Sequence, residues 1–239
     1  MLPEPPLGFD NKIVWKRRVQ AMKKGRFMQK LAYQMMRLAG IIGVILCLLW
    51  TPLSWGALQG EYEIMEKEPS LHEQGKVILL EFADFYCPHC HMFDRVVGTK
   101  LQKEFGGKLE IRLIGFPVIP GKLPTAFEMY EQAKKMGKGP EMKQALFASI
   151  HNKDIHIFDK TMRSLVIKEV GLDGAEFEKG LASGLPFRAL EQGKAWGERI
   201  EVSHTPTIVL DGNIRIANLT YENLKTVIQS ILDQDKSSQ

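Results

Sequence analysis

Two cysteines three positions apart, placed shortly after an apolar run, constrain this chain more than any other feature. Cys87 and Cys90 follow residues 77–82, in which only Glu81 is polar. An apolar run of that length indicates a buried strand, and a helix that begins at Cys87 presents unpaired backbone N–H groups and the positive end of its dipole to that sulfur. The pattern predicts a redox pair in which Cys87 attacks and Cys90, one turn further in, resolves.

Pro88 and His89 separate the two cysteines and suit the first turn of such a helix. Proline costs nothing at this place because its missing N–H would have no partner. His89 can bring a positive charge or a hydrogen bond close to the Cys87 sulfur. Both residues are therefore candidates for tuning the redox pair.

Three other uses of two close cysteines compete with this interpretation. A structural disulfide across so short a loop would stabilise little. A zinc site would need two more ligands, and the third cysteine, Cys47, lies in an apolar segment. The serious alternative is a c-type haem, because Cys87, Cys90 and His91 satisfy the C-x-x-C-H pattern, with His91 as the axial ligand. The preceding strand and the residues near the other end of the chain favour the redox pair.

Composition and charge exclude several classes of protein. The chain has 239 residues, of which 44% are hydrophobic and 25% charged. These values are typical of a globular protein with one large domain, or a domain with an insertion, and not of a disordered or collagen-like chain. The first 37 residues hold nine basic and two acidic side chains, which gives this stretch a charge of +7. Because the net charge of the whole chain is +4, the remaining residues carry −3. No basic face for nucleic acid remains.

The N-terminal region has the pattern of a targeting segment. Residues 38–60 carry no charge, their apolar core at 38–50 follows the basic stretch, and Ser54 and Gly56 place small residues before a cleavage point at Ala57. We expect a signal peptide, or a membrane anchor over residues 38–58, with the remainder exported to a periplasmic or other extracytoplasmic space. After removal of the signal peptide, only Cys87 and Cys90 would remain. In an oxidising compartment, a protein with no other disulfide would use this pair for redox chemistry.

Hydrophobic periodicity predicts a mixed α/β order. Strands are expected at residues 61–65, 77–82, 109–114, 207–210 and 213–217, with a hairpin turn at Asp211 and Gly212. Helices are expected at residues 88–105, 125–137, 140–151, 159–170, 173–183, 186–197 and 221–232. Asp173 has the spacing of an N-cap, with Glu176 three residues on.

This order resembles the thioredoxin fold with a helical insertion, and the chain is similar to the DsbA-like family of exported thiol–disulfide oxidoreductases. The resemblance covers roughly residues 60–234 and rests on three segments. They are residues 81–90 (EFADFYCPHC), Ala195-Trp196-Gly197, and Thr205-Pro206-Thr207 ahead of the Asp211-Gly212 turn. The resemblance implies that a helical domain is inserted between the second and third core strands. When the edge strand at residues 61–65 is not counted, these are the strands expected at 109–114 and 207–210.

Domain boundaries follow from these patterns. Residues 1–57 would form the basic region with the signal peptide or anchor, and residues 235–239 a polar tail. Between them, residues 58–123 and 200–234 would form the two parts of the thioredoxin-like domain, and residues 124–199 the inserted helical domain.

The resemblance also implies roles for residues outside the cysteine pair. Pro206 would follow a cis peptide bond and face Cys87, with the backbone of Thr205 open to an extended substrate peptide by strand addition. Glu81 matches a buried carboxylate beneath the active site, where burial would raise its pKa and suit it to shuttle a proton for Cys90. Threonine before the cis-proline is also found in reductases and isomerases of this fold, so these stay as alternatives to an oxidase.

The function that the resemblance implies is disulfide exchange with unfolded or reduced exported proteins. A redox-active disulfide would be the only redox group, with no metal and no other cofactor. Recycling would require a membrane quinone-linked thiol oxidase. A monomer is expected, since only about 20 residues separate the cleavage point from Val77 and leave no room for an added dimerisation domain.

Overall fold

The computed structural model of the protein describes residues 57–116, 125–153, 155, 157 and 159–237. The basic region, the apolar core of the expected signal or anchor segment, and Cys47 lie outside these residues, as does the expected domain boundary at residues 123 and 124. Among the described residues, no helix is long and apolar enough to cross a membrane. From Leu58 onward the described chain forms one compact unit.

A five-stranded sheet is present in the described part of the chain, in the order β1-β5-β4-β2-β3. Its strands are β1 (Tyr62–Ile64), β2 (Val77–Ala83), β3 (Leu109–Gly115), β4 (Thr207–Leu210) and β5 (Ile214–Ile216). Strand β2 runs parallel to β3 and antiparallel to β4, while β5 pairs antiparallel with both β4 and β1. Every predicted strand is confirmed to within a residue at either end.

Strand β2 is buried along its whole length because helices and loops cover both faces of the sheet. One set of its side chains, which includes Leu79, packs with the helix after the redox pair and with the C-terminal helix. The other set, which includes Phe82, packs with Trp196 and the loop before β4. A strand covered on both faces favours apolar residues on both of them, which explains the nearly continuous apolar run, interrupted only by Glu81.

The helix expected at residues 88–105 forms in three consecutive parts. It begins as α1 (Pro88–Met92), continues as a π-helical stretch (Phe93–Gly98) and ends as α2 (Thr99–Phe105), followed by a 3₁₀ turn (Gly106–Lys108). In the π-helical stretch the Thr99 N–H donates to the Asp94 carbonyl, five residues earlier, and the Thr99 hydroxyl donates to the same oxygen. The extra residue in this turn rotates α2 about the helix axis relative to α1.

Between β3 and β4 the described residues form helices and no strand. These helices are α3 (Thr125–Lys135), α4 (Gly139–His151), α5 (Lys160–Glu169), α6 (Gly174–Ala182) and α7 (Leu185–Arg199). Asp173 caps α6 as expected, because its carboxylate accepts the Glu176 N–H. One apolar cluster joins these helices to Phe85, Cys87 and Cys90. The insertion therefore forms one wall around the redox pair.

Helix α7 approaches β3 closely because glycines occupy two positions on one of its faces. A Cβ atom at Gly197 would lie 2.4 Å from the Phe116 ring, and one at Gly193 would lie 2.9 Å from Ile114. Trp196 packs edge-on against Phe82, with ring centroids 5.5 Å apart. Since α7 ends only a few residues before Thr205, this packing also positions the loop that carries the cis-proline.

The C-terminal helix, α8 (Tyr221–Ser237), is longer than expected. Residues 235–237, predicted as part of a polar tail, are helical. Asp235 explains the difference, since its carboxylate accepts from His72 Nε2 and from the Gly75 N–H, both at 2.8 Å. The predicted end of this helix at residue 232 is therefore too early, because Asp235 binds the segment before β2.

His72 joins three elements at the end of the sheet away from the cysteines. Its Nδ1 contacts Asp211 at 2.8 Å, and the same carboxylate accepts the Ile78 N–H at 2.8 Å. Partial burial disfavours the charged ring, but the hydrogen bonds to Asp211 and Asp235 outweigh it and raise the pKa of His72. The segment before β2, the β4–β5 turn and α8 are thus linked through one imidazole.

His72→Gln should lower the free energy of unfolding more at pH 6 than at pH 9. Because the pKa of His72 is raised by folding, its contribution is fully present below the unfolded pKa and is lost as pH rises through the folded one. Urea unfolding of both proteins across this range measures the difference. An equal loss of stability at both pH values would show that the protonated ring does not stabilise the fold.

Candidate active site

The redox pair lies where β2 ends and α1 begins. Cys87 is the N-cap of α1, in an extended backbone conformation, and Pro88 occupies the first helical turn, as expected. A tight turn precedes Cys87, in which the Asp84 carbonyl accepts the Cys87 N–H and the Asp84 carboxylate accepts the Tyr86 N–H. Cys87 therefore lies at the N-terminus of α1, where its side chain forms no capping hydrogen bond with the first-turn N–H groups.

The two sulfurs differ in their access to water. Cys87 is 6% exposed, Cys90 is fully buried, and both are free thiols in this structure. Cys90 lies one turn further along the helix, inside the apolar cluster of the insertion. This difference supports the predicted division of labour, because an incoming reactant reaches only Cys87.

The loop before β4 closes the site over Cys87. The Thr205–Pro206 peptide bond is cis, as the resemblance implied. The Cys87 thiol donates to the Thr205 carbonyl at 3.3 Å, which places the cis-proline loop directly beside the reactive sulfur. The Thr207 hydroxyl donates to the His204 carbonyl at 2.7 Å and holds the loop in this position.

Burial raises the pKa of the Cys90 thiol far above its ordinary value. The nearby Glu81 carboxyl adds to this rise, while the Asp84 backbone and the Thr205 hydroxyl partly oppose it. The Thr205 hydroxyl forms no hydrogen bond with a described protein atom, so its effect on the pKa of Cys90 is small beside that of burial. Cys90 is consequently a thiol at neutral pH and must lose its proton before it can attack.

Glu81 lies in the middle of β2, beneath the pair, and is only 1% exposed. Burial raises its pKa to about 8, with Lys143 acting to lower the pKa and Asp94 to raise it. Among the described protein atoms, Oε1 of this carboxyl has no hydrogen-bond partner. A carboxyl group that changes its protonation state near neutral pH can accept or deliver a proton at this depth.

An ion pair between Asp94 and Lys143 lies near this carboxyl and was not anticipated from the sequence. Asp94 follows Cys90 by four residues, whereas Lys143 comes from α4 of the insertion. Both side chains line a cavity of about 430 Å³ that also borders Leu113, the β3 neighbour of Glu81. The position of Asp94 one turn after Cys90 was a usable signal, but no sequence pattern marks Lys143.

The remaining candidates differ in what the structure places around them. Pro88 and His89 are exposed, and no described residue forms a hydrogen bond with the His89 ring, so its effect on the sulfur stays a prediction. His91 is half-buried and stacks on His151, with ring centroids 4.6 Å apart. Because Cys90 is fully buried, a haem could not reach both sulfurs in this arrangement, which argues against the haem alternative.

Comparison with known proteins supports the same assignment. The family model described as Thioredoxin (Thioredoxin_4) matches residues 72–230, which is more than half of the chain. The chain belongs to the thioredoxin family. This thioredoxin-family chain is 22% identical over 173 residues to the "Thiol:disulfide interchange protein DsbA" of Azotobacter vinelandii, covering 70% of this chain and 78% of that protein. It is 24% identical over 168 residues to the "Probable disulfide bond formation protein D" of Bacillus cereus, covering 67% and 76%.

Solved structures agree on the fold of this thioredoxin-family protein. DsbA from Xylella fastidiosa aligns with a TM-score of 0.60 at 18% identity, over 74% of this chain and 96% of that one. NmDsbA1 from N. meningitidis aligns with a TM-score of 0.59 at 18% identity, over 77% and 97%. The protein is a DsbA-like thiol–disulfide oxidoreductase with a thioredoxin fold and a helical insertion.

At neutral pH, an alkylating reagent should modify Cys87 quickly and Cys90 slowly. Cys87 is the N-cap of the helix and keeps some access to water, whereas Cys90 is a fully buried thiol of raised pKa. Mass spectrometry of briefly treated, reduced protein measures the two sites separately. Cys90→Ala should accumulate mixed disulfides with client proteins. If Cys87→Ala accumulates them instead, the attacking and resolving sulfurs are reversed.

Proposed function

We propose that this protein is an exported oxidase that introduces disulfides into reduced or unfolded proteins outside the cytoplasm. The arrangement of the two sulfurs carries the proposal, with Cys87 at a helix N-terminus and Cys90 buried behind it. A helix N-terminus stabilises a thiolate, which favours the reduced enzyme and makes the oxidised enzyme give up its disulfide readily. The printed names of the relatives, disulfide interchange and disulfide bond formation, support this direction.

In the proposed reaction a client thiolate attacks Cys87 of the oxidised enzyme. A client–Cys87 disulfide forms, the bond between Cys87 and Cys90 breaks, and Cys90 leaves as a thiolate. A second client thiolate then attacks the client sulfur of the mixed disulfide, and Cys87 leaves as a thiolate. The client loses two electrons and the enzyme gains them.

Glu81 is proposed to supply the proton that the departing Cys90 sulfur needs. With a pKa of about 8, this carboxyl is mostly protonated at neutral pH and can donate. When the enzyme is reoxidised the direction is reversed, since Cys90 must lose a proton before it attacks. The Asp94–Lys143 pair, which acts on the pKa of Glu81, lines a cavity of about 430 Å³, and the proton is proposed to reach water on that side.

Thr205 is proposed to bind the client backbone. In the reduced enzyme its carbonyl accepts from the Cys87 thiol. A sulfur in a disulfide has no proton to donate, so this carbonyl loses its partner in the oxidised enzyme and in the mixed disulfide. An N–H group of an extended client chain can then take that place by strand addition beside the cis-proline.

The proposed cycle requires a partner that removes electrons from Cys87 and Cys90. We propose a membrane quinone-linked thiol oxidase, with the redox-active disulfide as the only redox group of this protein and a monomer as the working form. The alternatives are a reductase or an isomerase of the same fold, favoured by the threonine before the cis-proline. These activities differ in redox midpoint and in the state of the client at the end of the reaction.

Titration with defined glutathione ratios should place the midpoint of the pair nearer to that of strong oxidants, about −120 mV, than to that of thioredoxin, about −270 mV. The oxidised protein should also form a disulfide in a reduced two-cysteine peptide, with loss of one enzyme disulfide for each one formed. A midpoint near the thioredoxin value without transfer to the peptide would assign a reductase. Rearrangement of a scrambled client without net oxidation would assign an isomerase.

Glu81→Gln should raise the free energy of unfolding at pH 8 to 9, by an amount on the order of a few kcal/mol, with the gain fading toward pH 4.5. The reason is that the unfolded carboxyl ionises near its ordinary pKa, whereas the folded one holds its proton until about 8, so stability falls as pH rises between these values. Urea unfolding as a function of pH measures the gain.

The same Glu81→Gln variant should release Cys90 more slowly from the disulfide and lose the dependence of that rate on pH around 8. Stopped-flow mixing with a thiol peptide measures this step. A gain in stability without any change in the rate profile would leave Glu81 as a buried carboxyl with no part in proton transfer.

A further inference from the structure

We propose that His151, at the end of α4 in the insertion, is a positioning residue for the redox pair. Its Nε2 lies 2.8 Å from the carbonyl oxygen of Phe85, two residues before Cys87. The inference rests on the thiol–disulfide activity but not on the proposed oxidising direction. It assigns to the helical insertion a direct part in setting the reactivity of Cys87.

His151 binds the Phe85 carbonyl, which lies in the turn before Cys87. Within that turn the Asp84 backbone and carboxylate accept the N–H groups of Cys87 and Tyr86. The Phe85 carbonyl takes no part in these bonds and accepts from the imidazole of His151 instead. Because the turn ends at the N-cap of α1, its orientation decides how the Cys87 sulfur meets the N–H groups of the first helical turn.

Stacking fixes the orientation of the His151 ring. His91 lies parallel to it, at 17° between the ring planes and 4.6 Å between centroids, and also stacks on Phe147 at 5.4 Å. His91 directly follows Cys90 in the chain. The same imidazole of His151 therefore contacts the segment on each side of the redox pair, through a hydrogen bond before Cys87 and through a ring stack after Cys90.

Charge does not oppose this stack at neutral pH. Burial lowers the pKa of His91, as do the neighbouring His151 and Arg95, while Asp94 acts in the opposite direction. A neutral His91 can lie against His151 without repulsion between like charges. Donation to the Phe85 carbonyl requires a proton on Nε2 of His151, which both the Nε2–H tautomer and the protonated ring supply.

The fold does not depend on this hydrogen bond alone. The Phe85 ring is fully buried and packs on Phe127 and Phe147, with ring centroids 4.7 Å and 4.8 Å away. Removing the donor at position 151 leaves this packing in place and frees only the carbonyl. The expected effect is a shift of the turn and of the Cys87 sulfur relative to the helix N-terminus, without unfolding.

The test compares His151→Leu, which removes the donor, with His151→Gln, whose amide N–H can reach the same carbonyl. In His151→Leu the rate of Cys87 alkylation at pH 7 and the equilibrium constant for oxidation of glutathione should each fall by about three- to tenfold. In His151→Gln most of both values should be recovered. Both measurements use the enzyme without a client, so their outcome does not depend on whether the protein acts as oxidase or reductase.

Substitutions at two other histidines separate positioning from general stability. His91→Phe keeps the stack and should leave both values unchanged, whereas His91→Ala frees the His151 ring and should lower them partway toward those of His151→Leu. His72→Gln, at the far end of the sheet, should lower stability and leave both values unchanged. If His151→Leu does not fold, His151→Gln and His91→Ala still carry the test.

Two results would overturn the proposal. In the first, His151→Leu loses stability as His72→Gln does but keeps the alkylation rate and the glutathione equilibrium of the original protein. In the second, His151→Gln behaves as His151→Leu does, which would show that the shape of the imidazole matters and the hydrogen bond does not.

Discussion

Strand β2 lies between β3 and β4, and helices and loops cover both of its faces. Its side chains therefore have almost no contact with water. Most of its residues are apolar and stabilise the fold by this burial. Glu81 is ionisable, and the same burial makes its charged form costly. The strand thus places the redox pair at its end and holds a protonated carboxyl beneath it.

The chemistry of the site depends on the different environments of two sulfurs that are three residues apart. Cys87 is at the helix N-terminus and contacts the Thr205 carbonyl, whereas Cys90 is enclosed by apolar side chains. The second environment keeps Cys90 a thiol because burial raises its pKa, whereas the first leaves Cys87 within reach of an incoming reactant. A single helical turn therefore separates an attacking group from a resolving group, and no further catalytic side chain is needed to distinguish them.

The helical insertion contributes more than a cover for one side of the sheet. It supplies Lys143, which pairs with Asp94 near Glu81, and His151, which binds the turn before Cys87. It ends in α7, whose close approach to β3 at Gly193 and Gly197 places the cis-proline loop. The redox site thus draws partners from both the thioredoxin-like portion and the inserted helices.

The place of Pro206 was implied by the resemblance to the DsbA-like family. Local spacing was enough to predict the strands and the N-cap position of Cys87. Each of these depends on residues that are close together in the chain, or on an apolar run that reports burial directly. The burial of Glu81 was implied by the resemblance, and its apolar neighbours in the strand agree with it. The extent of α8 could not be predicted, since Asp235 forms a hydrogen bond with His72, which lies 163 residues earlier in the sequence.

The sequence by itself therefore determined the order of the elements, the pair of cysteines and the class of chemistry. Only the tertiary structure decided what surrounds each group. Lys143 is 49 residues from Asp94, His151 is 66 from Phe85, and Thr205 is 118 from Cys87. The physical reason is that pKa values and hydrogen bonds depend on distances in space, and packing across the sheet and the insertion brings these distant residues together.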